Sequence, residues 1–204
     1  MSTYGDMQSR IADEIARSDL TTQIQMAILS AIEYYKDDKF WFNEGEATIN
    51  TTAGLDHDAM PVTFGELDVV TVTVPGSDRY KVETTTYEWI RDNATQSSLV
   101  GRPEFYAFFE EDVWYYPIPD AVYPIIFSGL IYLSTLTGPN STNAWTNEAE
   151  QLIRCRAKWD IYYNITRNDK EAQKMEVAEM KMWSKLMKKT TQKVASGRLQ
   201  PIRF

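Results

Sequence analysis

Leu67-Asp68-Val69-Val70-Thr71-Val72-Thr73-Val74 decides the fold. The run is mostly β-branched and ends at Pro75-Gly76. β-Branched side chains lose rotamer freedom in a helix and suit a pleated surface, so the run reads as a strand. Arg79–Glu83 reads as its hairpin partner across the Pro-Gly turn. Outward from this hairpin the period stays close to two. Ala47–Thr52 is a β-type run before it. After it, Phe105–Glu110 and Val113–Tyr116 form a second hairpin with Glu111-Asp112 at its tip. Pro117 and Pro119 interrupt that hairpin, and Tyr123–Leu133 reads as the last strand. Between the hairpins, Thr84–Asn93 carries Tyr87, Trp89 and Ile90 at helical spacing.

On both sides of this region the period becomes helical. Met7, Ile11 and Ile15 recur every four residues and predict a helix over residues 5–17. Ser18-Asp19 breaks it and caps a second helix, which runs to about Lys39 with Ile24, Ile28, Ile32 and Tyr35 on one stripe. Phe40-Trp41-Phe42 packs the junction, and Asn43 to Gly45 turns the chain. Beyond Gly138-Pro139-Asn140, Thr146 is expected to cap a long helix to about Arg167. Its apolar residues fall on two adjoining stripes, Trp145, Ala149, Leu152, Trp159 and Tyr163 beside Ile153, Ala157, Ile161 and Ile165. A face that wide calls for cover from two layers, a neighbouring subunit being one candidate. Asn168-Asp169 opens a final helix to about Thr190, rich in methionine at Met175, Met180, Met182 and Met187. Those methionines fill a core or form an adaptable protein contact. The expected class is α+β: a helical bundle from residues 1–44 and 145–190, an inserted antiparallel β domain over 45–144, and an extended C-terminal arm over 191–204.

Charge is unevenly spread along the 204 residues. Residues 181–204 hold seven basic residues and no Asp or Glu. The other 180 hold 14 basic against 29 acidic residues, a net of −15. An acidic body with a basic end marks the end as the part that meets a partner. Lys193, Arg198, Arg203 and Phe204 are the candidate docking residues of the arm. Trp183, Met187, Lys188 and Lys189 are the candidates for a subunit or partner interface. Nucleic acid is the other conceivable ligand of Lys181–Lys193. Yet phosphate is repelled by the acidic remainder, and only Trp183 is interleaved with those lysines.

Signals for chemistry are sparse. Cys155 is the only cysteine, so no disulfide and no thiolate metal cluster is expected. Within an apolar helical stripe it reads as a core thiol. His57, the only histidine, lies in Asp56-His57-Asp58 and reads as part of a polar loop. A hydrolase centred on His57 is the enzymatic alternative, but no Gly-x-Ser-x-Gly elbow accompanies it. No phosphate-cradling glycine loop occurs. No catalytic residue, metal or cofactor is therefore nominated. No run of 18 apolar residues occurs and the opening residues lack an apolar signal region, so neither a membrane-spanning helix nor export is expected.

Four stretches then stand out together. They are Tyr4-Gly5-Asp6 with Arg17-Ser18-Asp19-Leu20 and Ile24-Gln25; Phe40-Trp41-Phe42-Asn43-Glu44; Gly101-Arg102-Pro103-Glu104-Phe105-Tyr106-Ala107 with Tyr116-Pro117-Ile118-Pro119-Asp120 and Tyr123; and Ala195-Ser196-Gly197-Arg198. In order and spacing they resemble the head-to-tail adaptor (connector) proteins of short-tailed, podovirus-like phages. The resemblance implies a non-enzymatic virion protein at the head–tail interface, assembled in the host cytoplasm without a membrane. It implies a homo-oligomeric ring of about a dozen copies below the portal protein. The helices would form the ring wall and the C-terminal arms would dock into the portal. The β insertion would face a tail nozzle or tail fibre protein. DNA would pass through the channel at genome ejection without specific binding. Gly54–Met60 has no counterpart in the resemblance. A different tail-completion or head-closure protein is the alternative virion role.

Overall fold

The computed structural model describes residues 1–60, 64–74, 76, 78–96 and 99–196. The chain opens with α1 (Tyr4–Ile15) and α2 (Thr21–Tyr35), followed by the strands β1 (Glu44–Asn50), β2 (His57–Ala59), β3 (Phe64–Thr73), β4 (Arg79–Lys81) and β5 (Glu83–Thr84). Next come α3 (Tyr87–Gln96), β6 (Val100–Gly101), β7 (Phe105–Phe109), β8 (Asp112–Tyr116), β9 (Ile118–Pro119) and β10 (Pro124–Ile131). Helices return with α4 (Ala144–Asn147), α5 (Glu150–Asp160), a π-helical turn (Ile161–Ile165) and α6 (Asp169–Ser196). The class is α+β, and contacts gather into two units, Met1–Asn43 with Leu133–Phe204, and Glu44–Tyr132.

In the β-rich unit one sheet has the order β1-β10-β3-β4, antiparallel throughout, and a second has the order β2-β8-β7-β5. β10 and β3 are the interior strands of the first sheet, and β10 alternates: Ile125 and Phe127 are fully buried, while Ile126 and Ser128 face the other way. They share a core with Val70 and Val72 of β3 and Val113 and Tyr115 of β8. At Ser128/Gly129 the pairing with β3 slips register, and the backbone closes in. A β-carbon on Gly129 would stand 2.1 Å from the Glu66 carbonyl oxygen. Only glycine allows that approach.

The helical unit buries Met7 and Ile11 of α1, Ile24, Ala27, Ile28 and Ala31 of α2, and Leu152, Ile153 and Ala157 of α5. Thr3 caps α1 reciprocally: its hydroxyl accepts from the Asp6 amide at 3.0 Å, and the Asp6 carboxylate accepts from the Thr3 amide at 2.9 Å. Of the described helices, none is long and apolar enough to cross a membrane.

Several elements differ from expectation. α2 stops at Tyr35 rather than near Lys39. The helix expected from Thr146 to Arg167 is three pieces. Asn143, not Thr146, is the cap of α4, its side chain accepting from the amides of Trp145 and Thr146. After Asp160 the ladder widens to a π-turn, which Arg167 ends with a positive φ of 51°. Trp145, Leu152 and Ile161 are buried as the stripes require, but Tyr163 and Ile165 are exposed. The polar loop expected at His57 contains the short strand β2, whose His57 pairs with Trp114. α6 runs on through Ser196 instead of ending near Thr190, so residues 191–196 are helical rather than extended.

Gly129→Ala is expected to destabilise the protein by about 1–3 kcal/mol through forced displacement of β3. Gly101→Ala, at a position with nothing within 4 Å of a new β-carbon, is the control and should stay within about 0.5 kcal/mol. Denaturant unfolding of the two variants reads the difference.

Candidate docking surface of the helical unit

α6 reaches the rest of its unit through two clusters of side chains. The first lies near its C-terminal end. Trp41, just past α2, receives two ammonium groups on its ring: Lys189 Nζ at 4.2 Å and Lys193 Nζ at 4.8 Å from the centroid. The face of an indole is negative, so each cation is attracted to it. Lys189 also pairs with Glu148 at 2.9 Å, and the Trp41 amide donates to the Thr190 hydroxyl at 3.3 Å. Thr190 and Thr191 donate their hydroxyls to the carbonyls of Leu186 and Met187, one turn back. The helix runs on through residues 190–193 although the apolar period has ended, tethered at Trp41 by Lys189, Thr190 and Lys193.

The second cluster lies a turn or more earlier and surrounds a buried carboxylate. Glu179 is 7% exposed. The Tyr35 hydroxyl donates a short hydrogen bond to Glu179 Oε1, and the Arg156 guanidinium lies 3.5 Å from the same oxygen. Arg156 is itself held over the Tyr34 ring at 3.9 Å and the Trp159 ring at 4.4 Å. Trp159 in turn stacks on Tyr163 with centroids 5.2 Å apart. Glu179 Oε2 is buried with no hydrogen-bond partner. Burial, reinforced by the acceptor Glu179, drives the Tyr35 hydroxyl pKa far above the ordinary tyrosine value. Above this cluster opens a groove of about 660 Å³, lined among others by Tyr34, Asp38, Glu176, Met180 and Trp183. The Trp183 indole N–H closes one end by donating to Asp38 Oδ2 at 2.8 Å.

The residues nominated from sequence thus fall in different places. Trp183 lines the groove, and Met187 is half-buried against the helical core. Lys189 and Lys193 meet at Trp41, whereas Lys188 is exposed. Arg198, Arg203 and Phe204 lie outside the described residues. Tyr34, Tyr35, Arg156 and Glu179 were not nominated. A signal for Glu179 existed: it stands seven residues after Ala172 and seven before Leu186, on the buried stripe of α6. A carboxylate in such a stripe must be paired or functional.

Chemistry elsewhere is limited. His57 Nδ1 lies 2.8 Å from Asp56 Oδ1, and its ring stacks on Trp114 at 4.4 Å. Burial raises the Cys155 thiol pKa, which suppresses the thiolate form. Among the described residues no group of three or more His, Cys, Asp or Glu is placed to hold a metal ion.

One family model, that of the SU10 adaptor proteins, matches the chain over residues 2–201. That match defines the class as a structural adaptor of the phage virion. The chain belongs to the SU10 adaptor protein family. No curated protein matches it.

Tyr35→Phe removes the donor to Glu179 and leaves the carboxylate more poorly satisfied, at an expected cost of about 1–3 kcal/mol at neutral pH. The pH dependence has a definite sign. Tyr35 holds its proton in the folded state to a higher pH than in the unfolded state. Its contribution is therefore fully present below the unfolded value of about 10 and declines as pH rises above it. Denaturant unfolding between neutral pH and about pH 11 should show a shallower alkaline decline in Tyr35→Phe than in the wild type.

Proposed function

We propose that this phage adaptor assembles as a homo-oligomeric ring below the portal protein and docks onto it by its basic C-terminal stretch. In this reading it extends the DNA channel and offers the platform for a tail nozzle or fibre protein. The observation that carries the proposal is the charge split. Seven basic residues and no acidic ones occupy residues 181–204, against a net of −15 over the rest. Lys193, Arg198, Arg203 and Phe204 are the proposed anchors, with Lys193 at the helical start of the stretch and the others beyond Ser196.

Physical reasons favour this division of labour. A channel that passes DNA must not grip it, and sequence-independent affinity for DNA comes from Lys and Arg at phosphates. An acidic wall repels phosphate over a range of about 8 Å at physiological salt. A short basic stretch makes a weak contact by itself. Repeated around a ring, even about 1.4 kcal/mol per copy, a tenfold factor each, accumulates to firm attachment. Virion localisation at the head–tail junction follows from the same reading.

Deletion of residues 197–204 tests it. The truncated chain should lose binding to purified portal particles while its melting temperature stays that of the full chain. Full-length binding should weaken as salt is raised, because exposed charge pairing is screened. Undiminished portal binding by the truncated chain would remove the C-terminal stretch from the docking role.

A further inference from the structure

Glu176, Met180 and Trp183 recur along α6 at i, i+4 and i+7, and they line the groove above Glu179. Lys181, Lys185 and Lys188 repeat that spacing five residues later. Five residues turn a helix through roughly 140°, so the lysines form a second stripe facing away from the groove. All three are exposed and carry no ion pair among the described residues. The groove is acidic: Asp38, Glu176 and Glu179 face a single Arg156. It is also apolar at the rim, where Tyr34 and Met180 are each 60% exposed. Behind them lies Glu179, whose side chain is 9% exposed.

We infer that the groove receives the Lys181–Lys185–Lys188 stripe of a second copy of this chain, whose ammonium groups meet the exposed Glu176 and the acidic lining behind it. The inference rests on the ring reading above and names its subunit contact. Three observations carry it. The groove is lined by Asp38, Glu176 and Glu179 against one Arg156, so its charge complements a stripe of three lysines. Lysine stems are four carbons long and cover apolar rims such as Tyr34 and Met180 while delivering charge beyond them. Finally, head-to-tail association needs two different and complementary faces on each copy, and closure of a many-membered ring needs them at an obtuse angle. α6 provides both faces from one helix.

The experiment uses two full-length variants altered only at exposed positions: E176K/M180K, which spoils the groove, and K181E/K185E, which spoils the stripe. Each is measured alone and mixed in equal amounts, free and with portal particles, by sedimentation velocity and native mass spectrometry. Far-UV circular dichroism monitors folding. Alone, each variant should associate roughly tenfold or more weakly than the wild type. Mixed, they should recover association as one-to-one pairs and alternating multiples of them, because the intact groove of one takes the intact lysines of the other and the two altered faces carry opposite charge. A mixture that stays monomeric overturns the pairing of these two faces. Variants that assemble as well as the wild type overturn it too, while leaving the ring reading standing. A wild type that stays monomeric both free and on portal particles sinks the ring reading and this contact with it. Variants that assemble normally while K181E/K185E alone loses affinity for duplex DNA would reassign the stripe to phosphate.

Discussion

The chain leaves its helical unit at Asn43 and re-enters it at Leu133, so α1 and α2, which pack on each other, complete their burial against residues from beyond the insertion. Aromatic rings make that closure. Phe40 stacks on Phe42 at 5.2 Å, and both meet Trp145 edge to face, at 5.9 and 5.2 Å. Such pairs add about 0.5–1.5 kcal/mol each beyond the area they bury. Loop-closure entropy rises only with the logarithm of loop length, so a long insertion between the two sides costs little more than a short one. Asn43 fixes the exit point. It is buried, accepts from the Phe40 amide at 2.7 Å and donates to the Asp38 carbonyl at 2.8 Å.

Charge then sets orientation where apolar contact sets proximity. Arg10 reaches Glu150 at 2.7 Å, Lys158 reaches Glu14 at 2.6 Å, and Arg154 touches both Glu14 and Glu150. The Arg10–Glu150, Lys158–Glu14 and Arg154–Glu14 pairs tie α1 to α5, and Arg154–Glu150 lies within α5. Arg154, Glu150 and Lys158 are largely buried, so their desolvation offsets much of the attraction between the charges. Their arrangement does favour one alignment of the two helices, because a slipped helix would place like charges together. Glu179 is buried as well, held by Tyr35 and Arg156 from two other helices. Removing one member of such a set costs far more than removing a surface pair.

Periodicity carried most of the fold in the sequence. The run at Leu67–Val74 became β3, its partner became β4, and the hairpin across Glu111-Asp112 became β7 and β8. All of these are local pairings, which is why alternation and turn residues reveal them. β2 was not legible, because its partner β8 lies far along the chain and its three residues do not alternate. The end of α6 was misread for another reason. Thr190 and Thr191 break the apolar stripe, yet contacts with Trp41 from Lys189, Thr190 and Lys193 tether the helix past them. The π-turn at Ile161–Ile165 carries neither glycine nor proline to announce it. Of the candidate surface, Trp183 was legible as an aromatic amid lysines. The Tyr35–Glu179–Arg156 set was not, because it joins three helices whose approach no local pattern encodes.

The insertion also has a consequence for synthesis. A ribosome adds roughly 5–20 residues per second, so the interval between finishing α2 and finishing α5 is on the order of ten seconds. Throughout it, Ile24 and Ile28 of α2 have none of the α5 residues they are destined to meet. The strands of residues 44–132, in contrast, have all their partners as soon as β10 is made. The β-rich unit is therefore the part equipped to fold during translation, while α1 and α2, emitted before it, complete their burial after it.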